Sequence, residues 1–166
     1  MSRSEAKPVS QSQVVMTEMV LPTHTNSLDT VFGGTIMSWI DIAAAISAQR
    51  HAQKPVVTAP IDDLHFIAPI KRGWIVNLKA SVNFVSKTSM EVGVRVDAEN
   101  AINGESYHST SAYLTFVALN SHGDPTEIAD VIPETADEKK RHEAAIIRRK
   151  LRLERHQLFK DHKKKP

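Results

Sequence analysis

The sequence lacks cysteine altogether, and aromatic residues make up only 5% of its 166 residues. Without cysteine it cannot form a disulfide framework, a thiolate nucleophile or a cysteine-based zinc site. It also lacks any apolar run near the ~20 residues that cross a bilayer, and its polar N-terminus has no signal-peptide core. We therefore expect a soluble cytoplasmic protein without a membrane span.

Two further kinds of site are missing from the sequence pattern. The eight histidines never occur as His-x-x-x-His, so we expect no metal site. We also expect no cofactor. His51 and His65 are expected to be structural. No G-x-S-x-G motif is present, which disfavours a serine hydrolase of the nucleophile-elbow type.

Charge is distributed unevenly along the chain. Residues 139–166 carry a net charge of +9, whereas residues 1–138 carry −7, which together give +2. A basic segment attracts anionic partners, but no aromatic residues interleave with the cations of residues 139–157. We therefore expect a solvated or docked helix there and no nucleic-acid partner.

Alternating and helical patterns predict one long helix and several strands. The polar residues 1–13 are expected to be flexible, and the first strand is expected over 14–20. A helix of about four turns is predicted from Gly33 to Arg50. The strand expected over 55–66 is interrupted by Pro60, which indicates a sheet edge or a bulge.

Three long runs of alternating residues follow this strand, over 74–87, 89–101 and 107–120. Their short connections predict consecutive antiparallel strands. The simplest way to bury the apolar helix is to wrap the sheet around it. The sequence therefore predicts an α+β domain over residues 14–131, with a curved antiparallel sheet around one central helix.

A basic helix is predicted after this domain, within residues 132–166. Thr135 and Glu138 have the spacing of a capping box at its start. Four residues fall on one stripe, which is expected to dock the helix: Ala144, Ile147, Leu151 and Leu158.

A single carboxylate, Asp41, interrupts the small and apolar residues of the central helix. At helical spacing it shares a face with four such residues, which are Met37, Ala44, Ala45 and Ala48. Burying a carboxylate there is unfavourable unless a partner pairs with it or a reaction uses it. Asp41 is thus either a catalytic base or nucleophile, or a hydrogen-bonding group at a contact between subunits.

Two glycines, Gly33 and Gly34, begin this helix. Free N–H groups and the helix dipole favour negative charge at such a terminus, as an oxyanion hole requires. The same glycines equally suit a turn that allows close helix–sheet packing. Asn26, in the preceding loop, can orient a water or a carbonyl, or simply form an Asx turn.

These residues lie within segments that resemble the hotdog-fold acyl-CoA thioesterases, in the cytosolic acyl-CoA hydrolase branch. The matching segments run in the same order over roughly residues 14–145: "LPTHTNSLDTVFGGTIMSWID", "AQRHA", "VVTAPIDDLHFIAPIKRGW", "SKTSMEVGVRVDAE", "LTFVALNSHGDP" and "IPETADEKKRHE". The resemblance implies a hotdog fold that hydrolyses fatty acyl-CoA to fatty acid and CoA.

The resemblance also implies site residues and an assembly. The catalytic pair corresponds to Asn26 and Asp41, and the glycine that donates to the oxyanion corresponds to Gly34. Gly33 and Thr58 are expected to contact substrate. Active sites of such enzymes lie between two protomers, so a homodimer is expected, assembled further as a trimer of dimers.

Two polar segments are candidates for binding the phosphates of CoA. One is the hairpin that contains Lys87, Thr88 and Ser89, and the other contains Lys71 and Arg72. Either segment can equally be an ordinary solvated turn.

Two rival functions stay open at this point. A hotdog hydratase or dehydratase needs a cooperating Asp and His, but His24 and Asp29 do not have the order and spacing of that pair. A hotdog that binds acyl-CoA without hydrolysis would not require Asp41.

Overall fold

The computed structural model describes residues 5–62 and 64–163. The beginning of the predicted flexible segment and the last three residues of the predicted tail lie outside these ranges. The helices and strands follow in chain order: β1 Lys7–Pro8, β2 Val14–Met19, α1 Gly33–Ala52, β3 Val56–Ile61, β4 Ile75–Val85, β5 Ser89–Glu99, β6 Ser106–Ala118, β7 Val131–Ile132 and α2 Ala136–Lys163.

The main sheet has five antiparallel strands in the order β2-β4-β5-β6-β3. The helix α1 contacts all five of them. Every second residue of β4 and β5 is buried towards α1, as the alternating pattern predicted. The expected architecture, a sheet wrapped around one central helix, is confirmed.

Small residues let α1 pack closely against this sheet. Ala43, Ala44 and Ala48 are fully buried on one face of the helix, where short side chains allow the strands to approach. The helix ends at Gln53, which adopts a left-handed conformation with φ of 51°. No side chain caps its first turn, so the free N–H groups at that end can donate to another acceptor.

Pro60 lies in an edge strand, as its position in the sequence indicated. β3 pairs only with β6, and their register shifts between Thr58 and Ile61. Proline has no N–H to donate to a neighbouring strand, so it is tolerated at an edge. One side of β3 therefore stays unpaired within the protomer.

Residues 5–13, which precede β2, are folded, contrary to the flexibility expected for this segment. β1 pairs in parallel with β7, and a 3-10 helix follows over Val9–Ser12. Val9 is buried, and Ser12 Oγ accepts a hydrogen bond of 3.0 Å from the N–H of Val82. A few specific contacts thus fix a segment whose polar composition is typical of disorder.

The capping box at the start of α2 is confirmed. The N–H of Glu138 donates to Thr135 Oγ1 at 3.2 Å, and the N–H of Thr135 donates to Glu138 Oε2 at 2.9 Å. Burial acts to raise the pKa of Glu138, but hydrogen bonds to its carboxylate from the N–H groups of Thr135 and Glu134 hold that pKa below its ordinary value.

The apolar stripe predicted for α2 does not pack against its own protomer. Ile147, Leu151 and Leu158 are exposed by 58–70%, and Ala144 is only half-buried. The helix instead turns its charged face to the outer side of the sheet. Arg148 binds Glu91 at 2.7 Å and Arg152 binds Asp62 at 2.9 Å, one and two turns after the buried Ala145. Within the protomer, ion pairs therefore hold α2 on the sheet, and the apolar stripe faces outward.

His51 is structural, as expected, and joins the end of α1 to the segment before β7. It is fully buried, and its Nε2 donates to the carbonyl of Ala129 at 2.9 Å. Its Nδ1 has no partner among the described residues. Burial lowers the pKa of His51, and the nearby Lys7 ammonium acts in the same direction.

This histidine should make stability depend on pH. The unfolded chain binds a proton near pH 6.5, whereas folded His51 resists it, so stability falls as the pH drops below about 6.5. We expect thermal melts at pH 7.5 and 5.5 to show a smaller loss of Tm in His51→Gln, whose amide can still donate to Ala129. The same change at the exposed His65 is the control. Equal losses in wild type and His51→Gln would contradict the assignment.

None of the helices within the described ranges is both long enough and apolar enough to span a membrane.

Candidate active site

Asp41 lies in the middle of α1, beside the unpaired edge of the sheet. Its side chain is half-buried, whereas Ala44 and Ala48 on the same face of the helix are fully buried. Thr58, on β3, donates a hydrogen bond of 2.8 Å from its Oγ1 to Asp41 Oδ1. The other carboxylate oxygen has no bond to any described residue. Asp41 is thus held in one orientation and remains accessible.

The N-terminus of α1 presents two free amides. The helix begins at Gly33, and the N–H groups of Gly33 and Gly34 have no acceptor among the described residues. A Cβ on Gly34 would lie 2.6 Å from the ring of Phe32, so no larger residue fits there without a shift. These amides and the helix dipole can stabilise a negatively charged oxygen.

An apolar cavity of about 290 Å³ opens beside Gly33. Phe66 and Ile67 form part of its wall, and both side chains are exposed in the protomer. An acyl group can therefore approach the free amides through apolar surroundings.

Asn26 organises the loop that precedes α1. Its Oδ1 accepts hydrogen bonds from the N–H of Leu28 at 2.9 Å and from the N–H and hydroxyl of Thr30 at 3.3 and 3.2 Å. The Asx-turn alternative is therefore realised. The amide Nδ2, however, has no acceptor among the described residues, and the side chain is exposed. Asn26 can hold the loop with its oxygen and donate with its nitrogen.

The predicted catalytic residues do not all meet within one protomer. Gly34 and Asp41 are separated by seven residues, or about 10 Å along the helix axis. The free amides also point away from Asp41, since N–H groups point towards the helix N-terminus. No hydrogen bond joins Asn26 to Asp41 in the described part of the chain.

The two candidate phosphate-binding segments lie at opposite ends of α1. Lys71 forms a bridge with Thr30, close to the start of the helix, and Arg72 pairs with Asp29 at 3.3 Å. The hairpin with Lys87 lies near the other end. Lys54, just after the helix, donates to the carbonyl of Glu127, and the Glu127 carboxylate lies 3.3 Å from Lys87 Nζ. A helix of 20 residues is about 30 Å long. One protomer therefore cannot offer both segments to the same phosphates.

The Lys87 hairpin is partly committed to other contacts. Lys87 Nζ lies 3.3 Å from Glu127, although its side chain is largely exposed, and the carbonyl of Thr88 accepts from the N–H of Ala118. The hydroxyls of Thr88 and Ser89 form no hydrogen bond to the described residues.

A large apolar surface surrounds Asp41 and the unpaired edge of β3. Its members come from the loop before α1, from α1, from β3 and from the segment after β3: Leu28, Phe32, Met37, Ile42, Ile46, Val57, Ile61, Phe66 and Ile67. Contiguous exposed apolar surface next to an unpaired strand marks a protein–protein contact.

Within residues 5–62 and 64–163 no three His, Asp or Glu side chains are grouped as a metal ion would require. The carboxylate, the amides and the apolar cavity therefore define the candidate site.

A family model described as the thioesterase superfamily matches residues 28–103. A protein of Bacillus subtilis (strain 168), named as an uncharacterized acyl-CoA thioester hydrolase, is 41% identical over 148 residues, covering 89% of this chain and 86% of its own. The chain belongs to the thioesterase superfamily. Its sheet around a central helix is the hotdog fold of these proteins, as the resemblance implied.

Solved structures of other superfamily members agree closely with the fold. An acyl-CoA hydrolase from Bacillus cereus is 38% identical with a TM-score of 0.90, covering 95% of this chain and 96% of its own. An acyl-CoA hydrolase from Staphylococcus aureus, solved with butyryl-CoA, CoA and CoA disulfide, is 36% identical with a TM-score of 0.86, covering 96% and 99%. An acyl-CoA thioesterase solved as an apo hexamer is 39% identical with a TM-score of 0.89, covering 92% and 97%.

Further solved structures of the Staphylococcus aureus protein carry alanine at an asparagine, an aspartate and a threonine, separated in that order by 15 and 17 residues. Mammalian relatives are much longer than this chain. It spans 25–37% of those it matches, including the rat cytosolic acyl coenzyme A thioester hydrolase.

Proposed function

We propose that this protein hydrolyses acyl-CoA thioesters to a carboxylic acid and CoA, at sites shared by two copies of the chain. The observation that carries the proposal is the geometry of α1. An accessible Asp41, fixed by Thr58, lies about 10 Å from the free amides at Gly33 and Gly34. Both features suit thioester hydrolysis. Within one protomer they are too far apart to act on the same thioester, so a second chain must complete the site.

A two-fold axis near the middle of α1 brings these features together. It places the N-terminus of one α1 beside Asp41 of the other, because the two helices then run antiparallel. The unpaired edge of β3 and the surrounding apolar surface supply the contact. The same axis brings the Lys71 segment of one copy towards the Lys87 hairpin of the other, so that both can serve one CoA.

Each residue then has a distinct chemical role. The amides of Gly33 and Gly34 stabilise the oxyanion that forms on the thioester carbonyl. Asp41 of the other copy either deprotonates the attacking water or attacks the carbonyl to form a mixed anhydride. Thr58 orients Asp41, and the amide nitrogen of Asn26 orients the carbonyl or the water. No cofactor is needed, since CoA is part of the substrate.

The spacing of these residues supports the assignment. Asn26, Asp41 and Thr58 are separated by 15 and 17 residues, as are the positions altered to alanine in the Staphylococcus aureus hydrolase. The hexamer formed by a protein that is 39% identical supports assembly of such dimers into a trimer of dimers.

Complementation between two inactive variants tests the shared site. Asn26→Ala and Asp41→Ala should each be nearly inactive towards acyl-CoA, measured by release of the CoA thiol. In a mixed dimer both changes fall on one site and the other site is wild type. Random pairing of equal amounts makes about half the dimers mixed, so about a quarter of wild-type activity should return.

Three outcomes would contradict this proposal. Proven subunit mixing without recovered activity would mean that the residues act within one chain, or that one of them has no catalytic role. Hydration of enoyl-CoA, or tight retention of intact acyl-CoA without turnover, would replace hydrolysis with one of the rival functions.

A further inference from the structure

The outer face of the sheet carries a second cluster of reactive side chains. Ser111 Oγ lies 3.2 Å from His108 Nε2, and His108 Nδ1 lies 3.2 Å from Asp97 Oδ1. Asp97 also accepts two bonds of 2.9 Å from Arg95 Nε. Serine, histidine and aspartate are thus connected in the order that activates a serine nucleophile.

A bulge in β6 creates this connection. Val96 pairs with Thr110 but the next residue, Asp97, pairs with His108, so Ser109 is the extra residue. Ser109 and Thr110 both turn inwards, and His108 is left on the outer face beside Asp97. In a regular strand Ser109 would occupy that place, and the Ser111–His108–Asp97 relay could not form.

The carboxylate end of the relay is ionised at neutral pH. Burial acts to raise the pKa of Asp97, but the hydrogen bonds from Arg95 and His108 hold it below the ordinary value. Asp97 therefore accepts from Nδ1–H of His108, which leaves Nε2 free to accept the proton of Ser111.

A positively charged groove of about 420 Å³ adjoins Ser111. Lys79, Arg95 and Ser111 stand opposite one another on three neighbouring strands, and Arg141 of α2 adds a further cation. The terminal nitrogens of Arg95 form no hydrogen bond to the described residues, so they are available to a negatively charged oxygen. A ligand in this groove is expected to carry negative charge.

We infer that Ser111 is a second nucleophile of this protein, acylated by small carboxylic esters whose acid part carries a negative charge. Ser111 Oγ attacks the ester carbonyl while His108 Nε2 takes the proton, and Arg95 faces the developing oxyanion. The bond to the alcohol breaks, and the alcohol leaves with the proton from His108. Water, deprotonated by His108, then attacks the acyl-serine, and the acid departs as Ser111 regains its proton.

The experiment measures ester hydrolysis in the Asp41→Asn protein, which removes the proposed thioester site. The probes are the mono-p-nitrophenyl ester of succinic acid and the neutral p-nitrophenyl butyrate. We expect turnover of the charged ester, and Ser111→Ala and His108→Gln should each lower kcat/KM about 100-fold or more. Ser106→Ala, which changes another outward serine of β6, is the matched control and should have no effect.

Three further measurements distinguish a chemical role from a structural one. Asp97 is a positioning residue, so Asp97→Asn should lower kcat for the charged ester and leave KM unchanged. Lys79→Gln should raise KM for the charged ester by a larger factor than KM for the neutral one. A fluorophosphonate probe should label the peptide that contains Ser111, as located by mass spectrometry.

The inference is overturned if Ser111→Ala hydrolyses the charged ester as fast as its parent, or if the probe labels no β6 serine in folded protein. Circular dichroism of each variant shows whether it is folded. Because every arm lacks Asp41, a failure here says nothing about the thioesterase site.

Discussion

Asp41→Asn should give a folded protein whose kcat for acyl-CoA hydrolysis is about 100- to 10,000-fold lower, the range expected on removing a general base. Asparagine has nearly the same shape and can still accept the hydrogen bond from Thr58, so the fold should not change. It can neither deprotonate water nor attack the carbonyl as a carboxylate does. A steady-state assay of CoA thiol release across acyl chain lengths measures the loss.

The control changes a carboxylate that is not at the site. Asp124→Asn alters an exposed loop residue and should keep full activity. Near-wild-type kcat in an assembled Asp41→Asn protein would disprove the catalytic assignment. A normal kcat with raised KM would instead show that Asp41 only binds substrate.

The largest effect on stability is expected at Arg148. This side chain forms hydrogen bonds of 2.7 and 3.2 Å to Glu91, which is only 2% exposed, and its guanidinium lies 3.6 Å from the centre of the Tyr113 ring. Arg148→Ala leaves the Glu91 carboxylate buried and without its cation. Breaking a buried ion pair in this way costs about 3–5 kcal/mol, which urea unfolding can measure.

Two comparisons show whether the ion pair is the cause. Lys150→Ala removes an exposed cation from the same helix and should change stability by no more than about 0.5 kcal/mol. The double variant Glu91→Leu/Arg148→Met should recover most of the loss, because no buried charge remains. Equal losses in the double variant and in Arg148→Ala would point to packing of α2 instead.

Most of the sheet and the central helix could be predicted from the sequence because their burial is periodic. The alternation in β4 and β5 matches the two faces of the sheet, and the Thr135–Glu138 pair marks the start of α2 through purely local hydrogen bonds. Pro60 indicated the edge strand because proline, which has no N–H, is tolerated in a sheet mainly at edges and bulges.

The features that could not be predicted depend on contacts between distant residues. The docking face of α2 is held by Arg148 and Arg152, which a hydrophobic pattern assigns to solvent. Ser12 is buried because it accepts from the N–H of Val82, seventy residues later in the chain. The contact between Thr58 and Asp41 likewise appears only when β3 packs beside α1.

The proline in β3 also limits how far other chains can extend this sheet. An unpaired edge is a template for aggregation, and fibril-forming segments are typically six or seven residues long without proline. Because of Pro60, another strand can form regular hydrogen bonds only with the first residues of β3, before the shift in register. A short two-fold partner strand can satisfy that stretch, whereas a fibril cannot grow along it. The edge that we propose for pairing between two copies therefore also resists amyloid formation.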